Sequence, residues 1–486
     1  MAGRPNILMI MADNQPADML GCFGNVEVLT PHIDRLAANG TRFSNAFCVN
    51  AMCSPCRASV LTGLMPSAHG VHTWLDDGLA SEWPDDWNAI GEFATLPGQL
   101  KSTGYSTALI GKYHLGQPWR APADYDHWVT FPHGHTVNFH GNRMIENGRE
   151  AVHAGHSVDF FADRTVDYLA SRKDGADPFF CFVPFNGPYG HWPAIRGESQ
   201  TRFDEIYRDL PLRSIPREGL NRRVIERYTQ RVVEAGGTPH ERFAGPLLLP
   251  NETASLRNYF AQTSLIDDAV GRIMTALDEN GLADNTIVIY TADHGFSLGH
   301  HGIWGHGLAA WPSSMLRPSY HVPLIMAGPG IAAADHDGLV SQIDIPNTLL
   351  HAARAPLIET DRHDSRVIAL DDPGKPVRDA LFIEQEESRA IRTAGHLYVE
   401  RFCQPGGTPL PSEMYELTSD PGERQDLAGQ DSGAATTAEL AAQLNAYFDQ
   451  HAAPGFDLWS GGRAKSNITN PAFWQSAWGP EWACTK

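Results

Sequence analysis

Basic side chains are scarce in this chain. Its 486 residues hold 37 Lys and Arg against 57 Asp and Glu, a formal net charge of −20. Nucleic acids and anionic membranes are held by positive surfaces, so neither is an expected partner. An anionic ligand would need a strong local positive site. Long apolar runs are also missing, and nothing approaches the roughly 20 residues of a membrane-spanning helix. The short apolar run 7–12 has no basic stretch before it and Asp13 after it, unlike a secretory leader. A cytoplasmic location is therefore expected, or a periplasmic one if a leader has been removed. Cysteines are few: 22, 48, 53, 56, 181, 403 and 484, odd in number and scattered. That pattern fits a reduced chain better than a disulfide framework. Repeats and long low-complexity tracts are absent as well.

What remains is an ordinary globular balance, 42% hydrophobic and 19% charged, on a chain long enough for a large core. Continuous apolar runs ending in polar residues predict buried parallel strands over 5–13, 105–110, 178–183, 286–291 and 322–326. Between them, helices are predicted over 29–39, starting at Thr30-Pro31, over 96–104 and over 256–280. Alternating strands and helices imply an α/β class with a large, predominantly parallel sheet sandwiched by helices. Residues 196–250 read as a polar, irregular insertion near a site rim. After about 355 the pattern shifts to antiparallel strands (380–384, 397–402) and a helix (435–450). The expected division is a catalytic region 1–355 and a smaller C-terminal α+β subdomain 356–486. Its tail from Pro454 is either a packed extension or an interface arm.

Several segments carry chemistry. Asp13-Asn14 and Asp293-His294 each follow a predicted strand, and ligands of open α/β sheets collect at strand carboxyl ends. Together they offer an oxygen and nitrogen set suited to Ca²⁺, Mg²⁺ or Mn²⁺. The run Cys53-Ser54-Pro55-Cys56-Arg57-Ala58-Ser59-Val60-Leu61-Thr62-Gly63 has three readings. One is a C-x-P-C redox pair. Another is half a zinc site, but a second half is missing. The third is a formylglycine signature, which alone requires Arg57, Thr62 and Gly63. Lys112 and His114 sit two apart after a strand, and His191 follows another. His300, His301 and His306 lie in a Gly-rich stretch that reads as a pocket-lining loop or a second metal site.

In their order and separations these segments resemble the type I, formylglycine-dependent sulfatases of the alkaline phosphatase superfamily. The resemblance runs from Pro5 to about Leu350 and returns in Met414-Tyr415-Glu416-Leu417 and Asp420-Pro421-Gly422-Glu423. It implies an alkaline-phosphatase-like fold and hydrolysis of a sulfate monoester. It also implies one divalent metal, Ca²⁺ first with Mn²⁺ or Mg²⁺ as alternatives, held by Asp13, Asn14, Asp293, His294 and the residue made from Cys53. By the same resemblance, Cys53 becomes formylglycine through a formylglycine-generating or anaerobic sulfatase-maturating enzyme, and its hydrate is the nucleophile. Arg57 would stabilise the hydrate's anion, Lys112 would neutralise the sulfate, His114 would be the base and His191 the acid at the leaving oxygen. His306 fills a position where many sulfatases carry Lys, and Asn14 one where many carry Asp. Those departures keep a phosphonate monoester or phosphodiester hydrolase on the same scaffold as the alternative. The expected substrate is a sulfated carbohydrate or a small aryl or alkyl sulfate. A homo-oligomer is a further expected partner. Trp74, Asp76, Asp77, residues 133–135 and 196–250 are the expected specificity rim.

Overall fold

The first strand shows why the fold forms as it does. All eight residues of β1, Asn6–Asp13, are buried. A strand covered on both faces must be apolar throughout rather than alternating, which is the pattern of its sequence. In the computed structural model, β1 lies between two parallel neighbours near the middle of a ten-stranded sheet. The structure describes residues 3–485 except 133, 137, 174, 176, 190–199, 235–246, 248, 405, 406 and 408.

In chain order β1 is followed by β2 (Thr41–Phe47), β3 (Ser106–Ile110), β4 (His127–Thr130), β5 (Asn142–Glu146) and β6 (Arg149–His153). Then come β7 (Phe179–Pro188), β8 (Thr286–Ala292) and a small hairpin of β9 (Ser297–Leu298) and β10 (Trp304–Gly305). β11 (Leu324–Ala327) and β12 (Ala334–Ser341) complete the main sheet, whose order is β12-β2-β11-β8-β1-β7-β3-β4-β5-β6. β8, β1, β7, β3 and β4 run parallel, and β12 is parallel to β2. β11 runs against both of its neighbours, and β5 and β6 add an antiparallel edge. The sheet is thus predominantly parallel as expected, with β5 and β6 as an antiparallel edge, but β11, the run expected as a parallel strand over 322–326, is an interior antiparallel strand because its connection returns it against β8.

Helices cover both faces. Thr253–Glu279 and Ser157–Ser171 pack together beside β7, and Pro31–Ala38 begins with Pro in its first turn as its sequence predicts. A second sheet, β13 (Ala380–Glu384), β14 (Ser388–Thr393), β15 (His396–Arg401) and β16 (Glu413–Glu416), is antiparallel throughout. The helix Ala434–His451 packs on it. Apolar residues of this small sheet, such as Ile383 and Val399, belong to the same core cluster as β1. The tail is packed: Leu458, Ile468, Trp474 and Trp482 gather around Phe402. One expectation needs correcting. Within 196–250 the chain is not simply irregular, since Arg222–Glu234 is a helix. Its polar outer face hid the pattern, whereas Val224 and Arg227 turn inward. Residues 190–199 and 235–246, with most of the expected insertion's edges, lie outside the described residues.

Candidate active site

Parallel pairing in register brings the carboxyl ends of four strands to one edge. Ile7 pairs with Phe180 on one side and Ile287 on the other, so Asp13 and Asp293 leave the sheet together. The Asp293 amide donates to the Ala12 carbonyl at 3.0 Å, fixing the two ends against each other. Lys112 follows β3, and its amide donates to Pro184 of β7 at 2.7 Å.

The cysteine run forms the helix Cys53–Thr62, and all ten of its residues are buried. Its spacing now has a local explanation. Pro55 falls in the first turn, where its missing N–H leaves no intrahelical bond unmade. Arg57, one turn beyond Cys53, shares its face. Thr62 Oγ1 donates back to Ala58 O at 2.7 Å, and Gly63, with φ +73°, ends the helix. A Cβ at Gly63 would lie 2.1 Å from His363 Nε2, so size as well as conformation selects glycine.

Asp13, Cys53, Asp293 and His294 each offer one ligand atom, and these atoms lie within 4.8 Å of one another. Cys53 Sγ is 3.4 Å from His294 Nε2 and 3.6 Å from Asp13 Oδ1. His294 Nδ1–H donates to Gly295 O at 2.8 Å, which leaves Nε2 with its lone pair toward the cluster. Asn14 adopts φ +60°, a conformation Asn tolerates. Its amide N–H donates to Asp293 Oδ1 at 3.1 Å, while its buried Oδ1 has no hydrogen-bond partner. An orphaned amide oxygen beside two carboxylates and an imidazole is what a hard divalent cation would satisfy. The residues therefore fit the metal that the signature implies.

Two buried cations face the carboxylates. Arg57 donates to Asp13 Oδ2 at 3.2 Å and Asp293 Oδ2 at 2.9 Å, and also to Lys112 O at 2.6 Å. Its Nε remains a spare buried donor. Lys112 Nζ is 2.5 Å from Asp13 Oδ2, with both side chains fully buried. Burial alone would lower the Lys112 pKa, but Asp13 and Cys53 outweigh it and raise it. Burial likewise works to raise the Asp293 pKa, but His294, Arg57 and Lys112 overcome it and hold that carboxyl down at about 2. Burial first, then Asp13, pushes the Cys53 thiol well above its ordinary value. Cys56 is also pushed up by burial and donates to Asn50 O. Redox-active and nucleophilic thiols are favoured by the opposite shift, which weighs against the C-x-P-C reading.

The other expected residues take distinct places. His114 (φ +55°) donates through Nε2–H to Leu75 O at 2.9 Å and packs edge-on against His135, which meets Trp74 in turn. Two of the expected rim residues, Trp74 and His135, thus gather beside His114. The His306 ring stands 5.9 Å from that of His294. His300 instead pairs with Asp18 at 3.6 Å, and the His301 amide donates to Glu218. Neither joins the metal-ligand cluster among the described residues. His191 and His133 lie outside the described residues. Sequence reasoning missed Tyr189, whose ring lies 5.4 Å from Lys112 Nζ, and Tyr259, whose O–H donates to Asn14 O at 2.6 Å. Tyr189 directly follows β7 in the stretch that leads to His191, so a strand end was its local signal, whereas Tyr259 sits within the helix Thr253–Glu279 with nothing local to mark it.

Comparison with known proteins agrees with this geometry. The family model described as Sulfatase matches residues 5–355. The N-acetylglucosamine-6-O-sulfatase of Bacteroides thetaiotaomicron is 26% identical, covering 90% of this chain and 85% of its own length. A solved structure of a protein with its substrate D-glucosamine-2-N,6-O-disulfate superposes with a TM-score of 0.70 at 23% identity, over 92% of this chain and 98% of that one. The phosphonate monoester hydrolase of Agrobacterium radiobacter superposes with a TM-score of 0.67 at 22% identity, over 92% and 96%. At those identities the structural likeness speaks for the fold. The cysteine signature, the cluster around it and the match over most of the chain agree, and this protein belongs to the sulfatase family of the alkaline phosphatase superfamily and is a sulfuric ester hydrolase.

Proposed function

We propose that the protein hydrolyses the sulfate monoester of a carbohydrate, using a formylglycine made from Cys53 and one divalent metal. The observation that supports this most directly is the position of Cys53 Sγ, between His294 Nε2 and Asp13 Oδ1 at the start of a buried helix. Sγ marks where the hydroxyls of a hydrated aldehyde would stand. Asp13, Asn14, Asp293 and His294 would hold the cation, Ca²⁺ by preference given three oxygen donors, with Mn²⁺ or Mg²⁺ as alternatives. Bound there, the metal would supply Lewis-acid stabilisation of negative oxygens.

The charges explain the ligand class. Asp13 and Asp293 bring two negative charges, and Arg57 and Lys112 two positive ones. A divalent cation would leave the site with two positive charges in excess. A sulfate monoester brings one negative charge and a developing alkoxide a second, so the balance closes in the transition state. In this reading one hydroxyl of residue 53, its proton released to solvent and its alkoxide facing Arg57, attacks sulfur in line as the S–O bond to the alcohol breaks and the departing oxygen takes a proton from His191. His114 then draws a proton from the second hydroxyl. The C–O bond breaks, sulfate leaves and the aldehyde is restored. Arg57 Nε and Lys112 Nζ are the fixed cations facing this exchange.

The carbohydrate part of the proposal is supported by the sugar sulfatase among the relatives and by the sugar disulfate in the related structure. Maturation by a formylglycine-generating or anaerobic sulfatase-maturating enzyme belongs to the same proposal. Among the described residues no helix is long and apolar enough to cross a membrane. Asn14 and His306 favour a second reading, hydrolysis of phosphonate monoesters or phosphodiesters, because both change the charge met by the anion. Turnover of 4-nitrophenyl sulfate against 4-nitrophenyl phenylphosphonate decides between them. A sulfate preference is expected, and a clear phosphonate preference would reject the primary reading. Mass spectrometry of the Cys53 peptide from the native host is expected to show the aldehyde; an unmodified thiol in active protein would reject both.

A further inference from the structure

The turn between β13 and β14 places four polar side chains in a row, Glu384, Gln385, Glu386 and Glu387, all buried. Buried carboxylates need partners, and Glu384 has them in Arg389 and the Ser67 amide. Glu386 does not. One of its oxygens accepts from the Thr469 amide at 2.9 Å, and the other, Oε2, is buried with no hydrogen-bond partner. Burial, with Glu387, pushes this carboxyl up to about 7, although Thr469 and then Arg227 pull it down. Arg227 is itself buried, with its guanidinium 5.3 Å from the Trp311 ring and its Nε and Nη2 unpartnered. The Ser313 amide, two residues after Trp311, donates to Glu387 Oε1 at 2.6 Å, so Arg227 on Trp311 lies beside the turn that carries Glu386. Each unpartnered group is costly to bury unless something completes it.

Their position links them to the active site. A Cβ at Gly307, the residue after His306, would lie 3.0 Å from Gln385 Nε2, so the turn abuts the His306 loop. On the other side, two residues before Thr469, Asn467 donates to Trp74 O at 2.7 Å and accepts from the Asp76 amide at 3.2 Å. Leu75, between those two, holds His114. Hydrogen bonds thus connect His114 through Leu75 and the Trp74–Asp76 stretch to Asn467, two residues from the Thr469 amide that Glu386 accepts, and the His306 loop abuts the same turn.

We propose that Glu386 and Arg227 bind a hydroxyl of the alcohol that carries the sulfate, so that the substrate's leaving group is polyhydroxylated. A hydroxyl is the group that completes both partners at once, donating to Glu386 Oε2 and accepting from Arg227. A simple phenol carries only the oxygen that bears the sulfate and leaves the pair unmade. A quaternary ammonium alcohol would suit Glu386 but is opposed by the charge of Arg227. The inference rests on the sugar sulfatase reading and deepens it.

The test uses purified protein whose residue 53 is confirmed as formylglycine by mass spectrometry. Values of kcat/KM are measured on 4-nitrophenyl sulfate and on glucosamine 6-sulfate, galactosamine 6-sulfate and galactose 4-sulfate. In Glu386→Gln and in Arg227→Met, the ratio of the best sugar sulfate to the aryl sulfate is expected to fall at least about tenfold, which corresponds to roughly 1.4 kcal/mol. An unchanged ratio, or an equal fall on both substrates, would overturn the inference and leave the pair a structural one. Wild-type protein supplies a measurement free of folding effects. The parent sugar of the best substrate is expected to compete with 4-nitrophenyl sulfate, and choline is not; the reverse would overturn the inference. Aryl sulfate turnover with no activity on any sugar sulfate would also overturn it while sparing sulfatase activity. Preference for 4-nitrophenyl phenylphosphonate would instead reject the reading beneath it.

Discussion

Lys112 Nζ and Asp13 Oδ2 are 2.5 Å apart with no solvent on either side chain. Removing one member of such a buried pair strands the other, at a cost of about 3–5 kcal/mol. Here the stranded charge would also sit in the anion site. Lys112→Gln is expected to lower the melting temperature and to cut kcat/KM on aryl sulfate by at least about 100-fold, roughly 2.7 kcal/mol. Calorimetry and steady-state kinetics on the same sample check both. Retained activity would remove Lys112 from the site.

Cys53→Ala separates chemistry from stability. The side chain is small and buried at a helix start, so its loss should cost about 1 kcal/mol. Turnover should disappear altogether. Thermal melts and an aryl sulfate assay measure the two effects, and residual turnover above that of buffer would place the nucleophile elsewhere.

Metal occupancy should be visible without any assay of activity. The cluster of Asp13, Cys53, Asp293 and His294, with the orphaned Asn14 Oδ1, predicts that a chelator lowers the melting temperature. Ca²⁺ should restore it more fully than Mg²⁺. Asn14→Asp adds a negative charge to the ligand set and should tighten Ca²⁺ binding by about tenfold, read by titration calorimetry. A weaker affinity in this variant would show that Asn14 does not face the cation.

Gly134 tests the placement of His114. A Cβ there would lie 1.8 Å from His114 Cδ2, so Gly134→Ala must displace the imidazole. Activity should fall at least about tenfold, with a loss of stability of about 1–3 kcal/mol from overpacking. An unaltered pH–rate profile and rate would argue against His114 as the base.

Glu386 should leave a mark on the pH dependence of stability. Its folded pKa of about 7 exceeds the ordinary 4.5 because burial disfavours the charge. The folded state therefore binds the proton more tightly than the unfolded one. This contribution is complete below pH 4.5 and is lost as the pH rises through 7, an effect of about 3 kcal/mol. Urea denaturation of wild type and Glu386→Gln from pH 4 to 8 measures it. The slope in this window should be smaller in the variant; identical slopes would contradict it.

Much of this site could be read along the chain, because the decisive features are local. The helix Cys53–Thr62 carries its own start, catalytic face and stop within eleven residues, from Cys53 to Gly63. Asp13 and Asp293 each close an apolar strand, so their strand-end positions follow from the pattern. Other features depended on packing between distant segments. β11 lies antiparallel between β2 and β8, although its apolar run looks like that of its parallel neighbours. The direction of a buried strand is set by its connections, not by its composition. The Arg222–Glu234 helix was hidden by its charged outer face.

By itself, the sequence determined the helix that carries Cys53, the strand ends that carry Asp13 and Asp293, and the parallel core, since each is written in short spacings that dictate strand, turn or helix. Only the tertiary structure decided how the charges meet. Arg57 and Lys112 join Asp13 and Asp293 across 44 to 236 residues of chain. The physical reason is range. Backbone conformation is governed by near neighbours, whereas buried charges and orphaned hydrogen-bond partners are defined only once the packed interior excludes water and brings remote segments together.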